Sequence, residues 1–369
     1  MPLAAPVTTA TRPGVNAGWL LTGDLRPALR SRRDGAPVAA SVKGVGALSH
    51  RPRRRPRPGA GRSSPCAQES PMVLLFCSDP LVPRQPDGAF ASEADAARGL
   101  GLDIGLIDFE ALVAGDSRAA VRRVPEAQGQ GAVYRGWMLR PSVYADLHGA
   151  LAARGVRLVN DPDAYAHGHH LPGWYPALEG HTPRSVWLPV NGDVAMDDVM
   201  SLLRPFGDGP VLLKDFVKSR KHEWAEACFI PAASDRAAVE RVVRRFVELQ
   251  GSDLEGGLVF REFVELAPAG RHPKSGMPLA REHRIFFFDG EPIASLRYWD
   301  EAEYEAETAA AAALRALAAR VKSRFFTLDV AELLHGGWTV IEVGDGQVSG
   351  LPDHADRRVF YQALAARLG

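Results

Sequence analysis

The chain of 369 residues is poor in cysteine and lacks a long uncharged hydrophobic run. Its three cysteines, Cys66, Cys77 and Cys228, are scattered, so they suit neither a disulfide framework nor the spacing of a zinc site. We expect Cys77 and Cys228, which lie in hydrophobic contexts, to be core residues. A stretch of about 18 apolar residues, which a membrane-spanning helix needs, is absent. These absences predict a cytoplasmic protein with no membrane partner in a reducing setting.

The chain also lacks net charge, but the zero value hides an asymmetry. Residues 1–71 hold 12 Lys+Arg against three acidic residues, whereas the remainder carries a net charge of −9. Proteins that bind nucleic acid normally present a basic folded domain to the phosphates. The acidic remainder therefore argues against a nucleic-acid partner, although the basic segment leaves that partner open.

Residues 1–71 are rich in Arg, Pro, Gly, Ala and Ser and show no sustained hydrophobic periodicity. Such a segment cannot bury enough apolar surface to offset its chain entropy, so we predict a disordered basic leader. It is either a basic tail or targeting peptide, or an extension ahead of a native start at Met72. We favour the second interpretation, because a hydrophobic strand begins directly at Met72.

From Met72 onward the hydrophobic pattern alternates between strands and helices, which predicts a parallel α/β unit followed by α+β structure. A Pro/Gly/His-rich connection is expected from Asp161 to about Pro189. The predicted strands are 73–77, 103–107, 132–137, 156–159, 211–214, 257–262, 283–288, 292–298, 325–330 and 338–343. The predicted helices are 92–100, 141–154, 194–203, 234–250 with Ser234 as its N-cap, 307–322 and 356–368.

Two of the hydrophobic strands are each interrupted by a single carboxylate, Asp329 in one and Glu342 in the other. A carboxylate in an apolar strand is unfavourable unless it is paired or bound to a cation. A tight hairpin lets both converge on one side, and magnesium accepts a few carboxylates while leaving other positions to phosphate oxygens. The two residues therefore either hold magnesium or form ion pairs. The arginines available for such pairs are Arg281, Arg284 and Arg297.

A strand that ends in lysine lies upstream of these carboxylates. Lys214 closes the apolar stretch 210–214, and its only obvious acidic neighbour, Asp215, points to the other face of the strand. The loop that follows is basic, and a strand-end lysine with a basic loop suits a polyphosphate. The alternative for the loop is a solvated turn. Its basic residues are Lys218, Arg220 and Lys221.

A third feature is the change from strand to Pro/Gly loop near Glu262 and Glu265. Backbone edges there would suit adenine, and a carboxylate would suit ribose hydroxyls. The alternative is an edge strand with two solvated carboxylates.

In chain order these features form a series: a lysine strand, a basic loop, a glutamate strand, an arginine strand, then Asp and Glu on consecutive strands. The series resembles the ATP-grasp superfamily over essentially residues 72–369. Within it, the stretches YRGWMLRPSVY, REFVEL, EHRIFFFDGEPI and IEVGDGQVSGLP are similar to one clade of ATP-grasp domains related to carboxylate–amine ligases. The order of the motifs is specific, although no single motif is.

The resemblance implies a small N-terminal α/β domain followed by a two-lobed ATP-grasp fold. We assign residues 1–71 to the leader and residues 72–182 to the pre-ATP-grasp domain. The N-terminal lobe is then residues 183–262, and the C-terminal lobe is residues 263–369.

The resemblance also implies ATP-binding residues in the N-terminal lobe and at the hinge. Lys214 would bind phosphate, and the basic loop would cover the triphosphate. The adenine would meet the hinge, and the ribose would lie near Glu265. The residues predicted in this way are Lys214, Lys218, Arg220, Lys221, Glu262, Val264 and Glu265.

In the C-terminal lobe the resemblance implies the metal-binding and catalytic residues. Asp329 and Glu342 match two magnesium-binding carboxylates. The family pattern continues with an asparagine at the position of Gly344, and we predict that Asp345 substitutes for it. The predicted catalytic residues are Arg284, which matches an arginine directed at phosphate or acyl-phosphate oxygens, and Arg297.

The implied function is ATP- and magnesium-dependent ligation with release of ADP and phosphate. A small-molecule, peptide or protein carboxylate would be activated as an acyl phosphate for attack by an amine. Two alternatives remain, namely ATP-dependent modification or ligation of RNA ends, and a non-catalytic ATP-binding module.

Two groups outside this series have open roles. Arg135, at the end of a predicted strand, is our candidate for binding an acidic substrate, and the alternative is a structural ion pair. His167, His169 and His170 suggest a metal site, but their spacing does not place them on one helical face. Because no acidic or cysteine residue is adjacent, we predict a polar loop.

Overall fold

The structure is a computed structural model that describes residues 72–273, 278–304 and 309–368, without the side chains of residues 222 and 309–313. The predicted disordered leader therefore lies outside the described residues, as does the predicted start of the alanine-rich helix at residues 307–308. Within the described ranges, no helix is long and apolar enough to cross a membrane.

Four parallel strands form the first sheet, in the order β2-β1-β3-β4. They are β1 (Val73–Cys77), β2 (Ile104–Ile107), β3 (Gln130–Arg135) and β4 (Val156–Leu158). All five positions of β1 are buried, which explains its unbroken apolar sequence. The helices around the sheet are α1 (Ala91–Gly99), α2 (Phe109–Val113), α3 (Ser117–Ala120) and α4 (Pro141–Ala152). The predicted bounds agree within two residues, and α2 and α3 are additional.

The connection predicted at residues 161–189 is wrong, because this segment forms two helices and a strand. The helices are α5 (Pro162–His169) and α6 (Leu171–Leu178), and the strand is β5 (Ser185–Pro189). Each helix has a proline in its first turn, where proline favours a helix start rather than a loop. His169 consequently ends a helix instead of lying in a polar loop. The residues that α6 buries, at helical spacing, are Leu171, Trp174, Tyr175 and Leu178.

The second sheet is antiparallel, in the order β5-β8-β6-β7. Its further strands are β6 (Val211–Asp215), β7 (Phe229–Ile230) and β8 (Gly257–Glu262), with helices α7 (Met196–Leu203) and α8 (Arg236–Gln250). The predicted N-cap Ser234 is wrong by one residue. Asp235 caps α8 by accepting hydrogen bonds from the amides of Ala237 and Ala238, whereas the Ser234 hydroxyl donates to Asp208.

The third sheet is also antiparallel, in the order β12-β11-β13-β14. Its strands are β11 (Glu282–Phe288), β12 (Glu291–Arg297), β13 (Phe325–Glu332) and β14 (Trp338–Asp345). Asp289 and Gly290, both at positive φ, form the tight turn between β11 and β12. The remaining elements are the pair β9 (Pro268–Arg271) and β10 (Pro278–Ala280), and the helices α9 (Ala309–Ala318) and α10 (Arg357–Leu368).

The last helix returns to the first sheet. On α10, Tyr361 donates a hydrogen bond to Glu93 of α1 at 2.6 Å, and its ring lies 6.4 Å from that of Phe76 on β1. The three main sheets nevertheless occupy consecutive parts of the chain, at residues 73–158, 185–262 and 282–345. The domain boundaries at 182/183 and 262/263 stay predictions.

Candidate active site

Three adjacent strands of the third sheet carry a row of charged side chains on one face. Arg284 on β11 lies opposite Asp329 on β13, and Asp329 lies opposite Glu342 on β14. Leu328 and Val343, which alternate with these residues, pack into the apolar core on the other face. The register therefore brings together the two predicted metal-binding carboxylates and one predicted catalytic arginine.

Arg284 and Asp329 form a buried bidentate ion pair. Arg284 Nε donates to Asp329 Oδ1 at 2.8 Å and Nη2 donates to Oδ2 at 2.7 Å, while Nη1 donates to the Gly350 carbonyl at 3.1 Å. Burial opposes the charged guanidinium, but the attraction of Asp329 outweighs it and raises the pKa of Arg284 above its usual value. The ion pair that the sequence offered as an alternative to metal binding is thus present, with Arg284 as the partner.

Lys214 reaches the same row from the second sheet. Its Nζ donates to Glu342 Oε1 at 3.0 Å and to the Val217 carbonyl at 3.0 Å. The expectation that only Asp215 could pair with it is wrong, because Glu342 lies 128 residues further along the chain. Burial opposes ionisation of Glu342, but Lys214 outweighs it and holds the pKa of that carboxyl below its usual value.

The basic loop after β6 does not act as one group. Arg220 turns towards the C-terminal end of α8, where its guanidinium donates to Gln250 Oε1 at 2.7 Å and to the Leu249 carbonyl. The Lys218 amide donates to the Asp215 side chain, which shapes the start of the loop. The structure therefore directs Arg220 away from the charged row.

Lys221 and two residues that the sequence prediction omitted, Tyr298 and Glu282, lie around the row. Lys221 Nζ is 5.6 Å from the centre of the Tyr298 ring, and the Arg284 guanidinium carbon is 5.0 Å from the same centre. Burial raises the pKa of the Glu282 carboxyl to about 7, so this carboxyl changes protonation near neutral pH. Glu282 precedes Arg284 by two positions on β11, so strand alternation offers a signal for it.

Arg261 on β8 ties the second sheet to β14 and was also missed. It donates to the Val340 carbonyl at 2.9 Å and to Thr182 Oγ1 at 2.6 Å. Burial lowers the pKa of Arg261 to about 10, against the nearby charge of Glu342. No feature of the sequence around Arg261 distinguishes it from an ordinary strand arginine.

Asp329 and Glu342 fit the donor preference of magnesium, because both offer carboxylate oxygens on neighbouring strands of one face. The family's third ligand does not fit here. A side chain at Gly344 would meet Thr327 Oγ1 and Ser349 Oγ at 2.7 Å, so these two hydroxyls fill the space that an asparagine would need.

The structure does not support Asp345 as a substitute metal ligand. Strand alternation places residue 345 on the face opposite to Glu342. Its carboxylate accepts hydrogen bonds from Asn160 Nδ2 at 2.6 Å and from the Gln347 amide at 2.9 Å. Burial raises the pKa of Asp345 to about 7. Asp345 therefore belongs to a buried network that joins β14 to the first sheet.

The structure also separates Arg297 from the row. Arg297 pairs in register with His283, so it lies on the face opposite to Arg284. Its guanidinium donates to the Ala302 carbonyl at 3.1 Å and to Glu303. The predicted catalytic role of Arg297 is not supported by this placement, and Tyr298 is the β12-end residue that contacts Arg284.

Arg135 adopts the structural alternative. It is 1% exposed, and it donates to Glu93 Oε2 at 2.9 and 3.1 Å and to the carbonyls of Gly346 and Ser349 at 2.6 and 2.8 Å. Because these contacts use Nε and both terminal nitrogens within the protein, the placement does not support the predicted role in substrate binding.

The predicted hinge residues lie at the end of β8. Glu262 accepts a contact from Arg184 at 3.7 Å, Val264 is half-buried, and Glu265 is exposed. Phe263, between them, is the edge of an aromatic group whose ring centres are 5.3 to 6.2 Å apart. The other members of this group are Trp224 and Phe229, which the sequence prediction omitted.

A small cavity adjoins the charged row. It is lined by Arg284, Asp329 and Glu342 from the third sheet, by Val217 from the loop after β6, and by His169 from α5. The cavity therefore receives residues that come from all three consecutive parts of the chain. Both carboxylates of the row can be reached from it.

Residues 205–364 match a family model described as an ATP-grasp domain, the third family of its clade. No curated protein sequence matches the chain.

Solved structures share the fold at low sequence identity. A D-cycloserine synthetase is 16% identical, with a TM-score of 0.51 over 80% of this chain and 100% of its own. A RimK-domain ATP-grasp protein from Sphaerobacter thermophilus is 16% identical, with a TM-score of 0.52 over 80% and 99%. An N5-carboxyaminoimidazole synthase from Aspergillus clavatus, solved with ADP, is 10% identical, with a TM-score of 0.51 over 81% and 77%. The predicted fold class is confirmed.

Proposed function

We propose that this chain, which carries an ATP-grasp domain over residues 205–364, is a magnesium-dependent ligase that joins a carboxylate to an amine and converts ATP to ADP and phosphate. The observation that carries the proposal is the row of paired charges. Lys214 and Arg284 are the cations, Glu342 and Asp329 are the carboxylates, and the row borders one cavity.

The pairing supports this function because each partner in the row suits a different part of the same ligand. Lys214 and Arg284 can contact phosphate oxygens by charge-assisted hydrogen bonds. Asp329 and Glu342 would hold magnesium, which neutralises phosphate charge and orients the phosphates when bound. Without ligand, each group satisfies another in the row, so no buried charge is left unpaired.

In the first step a carboxylate oxygen of the substrate attacks the γ-phosphorus of ATP, and the bond to the bridging oxygen of ADP breaks. In the second step the amine attacks the acyl carbon, a C–N bond forms and phosphate leaves, while the amine nitrogen loses a proton. Arg284 is placed to bind the negative oxygens that persist through both steps. Lys221, over the Tyr298 ring, would help to exclude water from the acyl phosphate.

Product analysis with pooled amino acids, peptides and RNA tests the proposal. We expect ADP and phosphate, dependent on an amine acceptor. AMP and pyrophosphate would indicate adenylyl transfer and would remove the ligase proposal. Binding of ATP without turnover on any acceptor pool would favour the non-catalytic module. Product formed only with RNA would favour RNA modification.

A further inference from the structure

Two histidines and a glutamate from distant parts of the chain meet beside the cavity. His169 ends α5, His170 follows it, and Glu255 lies two residues before β8. One nitrogen or oxygen atom from each lies within 4.8 Å of the other two, and His170 Nε2 is 3.1 Å from Glu255 Oε1. The sequence offers no acidic residue next to the histidines, but the fold supplies one.

We propose that His169, His170 and Glu255 form a binding site for a divalent transition-metal ion, with Zn²⁺ as the best match. Two imidazole nitrogens and one carboxylate oxygen are a common zinc donor set, whereas magnesium prefers oxygen alone. The donor types therefore distinguish this site from the pair Asp329 and Glu342. Three protein donors leave one tetrahedral position for water or a small ligand.

Neighbouring contacts hold the donors in place. The His169 ring stacks on Tyr165 with ring centres 5.1 Å apart, and the Tyr165 hydroxyl donates to the Leu139 carbonyl at 2.7 Å. The His170 ring packs edge-on against Phe216 at 5.8 Å. Such contacts orient metal ligands and reduce the conformational entropy that binding removes.

The protonation states of the donors also suit a metal. Burial lowers the pKa of His169 to about 4, so its imidazole is neutral and can donate a lone pair near neutral pH. Burial opposes ionisation of Glu255, but the hydrogen bond with His170 and the nearby imidazoles outweigh it, and the pKa of Glu255 is lowered.

Nearby positive charge opposes a bound cation, but its geometry leaves the donors accessible. Arg140 Nε lies 3.5 Å from Glu255 Oε2, which is not the oxygen that contacts His170. Arg140 also donates to the Ser252 carbonyl at 2.8 Å, which holds it on the outer side. Arg140 can therefore stay as a second partner of Glu255 while Oε1 binds the metal. The charge of Lys218 remains an opposing contribution to affinity.

A bound ion would join the α5–α6 junction to the loop after β6. The Leu171 amide donates to the Phe216 carbonyl at 2.9 Å, and the Phe216 amide donates to the Glu255 carbonyl at 3.2 Å. Residues next to the three donors are thus already linked by backbone hydrogen bonds. This inference stands on its own contacts and does not depend on the proposed ligase reaction.

Zinc affinity of the metal-free, full-length protein tests the proposal, measured by competition with a chromophoric chelator in the presence of excess magnesium. We expect one zinc ion that magnesium does not displace, and a higher Tm with zinc because the ion binds the folded state. Glu255→Gln and His170→Ala should each weaken zinc binding by at least about tenfold. Their donors are only partly buried, so these variants should fold. His169→Ala is the third variant, and it requires a thermal melt because His169 is buried.

His354→Ala is the matched control, because His354 also contacts a carboxylate, Asp300, at 2.6 Å. It should bind zinc as the parent does. Asp329→Asn should also keep zinc affinity, which separates this site from the magnesium site. Equal zinc affinity in the parent, Glu255→Gln and His170→Ala, or no stoichiometric zinc binding in the parent, would overturn the proposal and leave an ordinary ion pair.

Discussion

Two buried arginines, Arg135 and Arg284, form similar carboxylate pairs in different surroundings. Arg135 pairs with Glu93 at the border of the first sheet and is 1% exposed, with Nε and both terminal nitrogens bound inside the protein. Arg284 pairs with Asp329, but both residues line a cavity that also contains Glu342. The sequence gives the two arginines the same pair of interpretations. The comparison shows that a buried ion pair alone does not indicate function, whereas shared access to a cavity does.

The two clusters also differ in what their partners can do. Glu93 has Tyr361 and Arg135 as partners, and all three are enclosed by elements that meet only when the chain folds. In the charged row, by contrast, each carboxylate faces a cation that suits phosphate and each cation faces a carboxylate that suits magnesium. We therefore expect substitutions in the first cluster to change stability and substitutions in the row to change catalysis.

The largest expected effect is loss of turnover in Asp329→Asn and Glu342→Gln. Removing preorganised charge stabilisation at the reacting phosphates should lower kcat by at least about 10²- to 10³-fold. The control is Glu303→Gln, an exposed carboxylate beside Arg297, which should keep normal turnover. Near-normal kcat in both row variants would remove the metal assignment.

These two variants also test an expectation that the structure reverses. From sequence alone, two close carboxylates repel, so removing one should stabilise the protein without metal. Because Asp329 is bound to Arg284 and Glu342 to Lys214, each removal leaves a buried cation without its partner. We now expect lower stability, measured as the free energy of unfolding.

The next effect in size is a stability loss in Arg135→Met. Removing one partner of a buried pair leaves Glu93 uncompensated, which lowers the free energy of unfolding by about 3–5 kcal/mol. The folded fraction should keep its substrate KM and kcat, because Arg135 contacts the protein only. Urea unfolding beside steady-state kinetics measures both. A raised KM for an acidic substrate at unchanged stability would restore the substrate role of Arg135.

The row and the sealed cluster also show what the sequence could predict. Asp329, Glu342 and Lys214 are polar residues in apolar strands, so local pattern alone made them candidates. The pairing of Lys214 with Glu342 spans 128 residues, and the meeting of His170 with Glu255 spans 85, so no local pattern carries either contact. Arg297 was mispredicted because alternation on β12 depends on the observed register, which puts it opposite His283.

Within the row, Lys214→Ala should weaken ATP binding by roughly ten- to a hundredfold, because a charge-assisted contact contributes about 1.5–3 kcal/mol. Lys214→Arg should restore only part of it, since a planar fork does not reproduce a compact ammonium. Calorimetric titration beside a thermal melt separates affinity from folding. Arg220→Ala is the control, because its guanidinium is bound to the end of α8, and it should bind ATP normally. Unchanged affinity in Lys214→Ala would end the phosphate assignment.

The smallest effect concerns two carboxyls with similar titration on opposite faces of the third sheet, Glu282 beside the row and Asp345 in the network with Asn160. Burial raises the pKa of each to about 7, above the value of an unfolded chain. The native protein therefore holds more protons than the unfolded chain between about pH 4.5 and 7, and this stabilisation is lost as pH rises through that window. The slope is up to about 1.4 kcal/mol per pH unit for each group.

Glu282→Gln should remove its share of this slope in urea unfolding measured across the same window, and Asp345→Asn should remove the other share. Saturating magnesium and ATP should distinguish the two. Ligand charge beside the row should change the contribution of Glu282, which faces Lys221 and Asp329. The contribution of Asp345, which faces Asn160 and Gln347, should stay the same. An equal ligand response in both variants would contradict the separation of the open row from the sealed network.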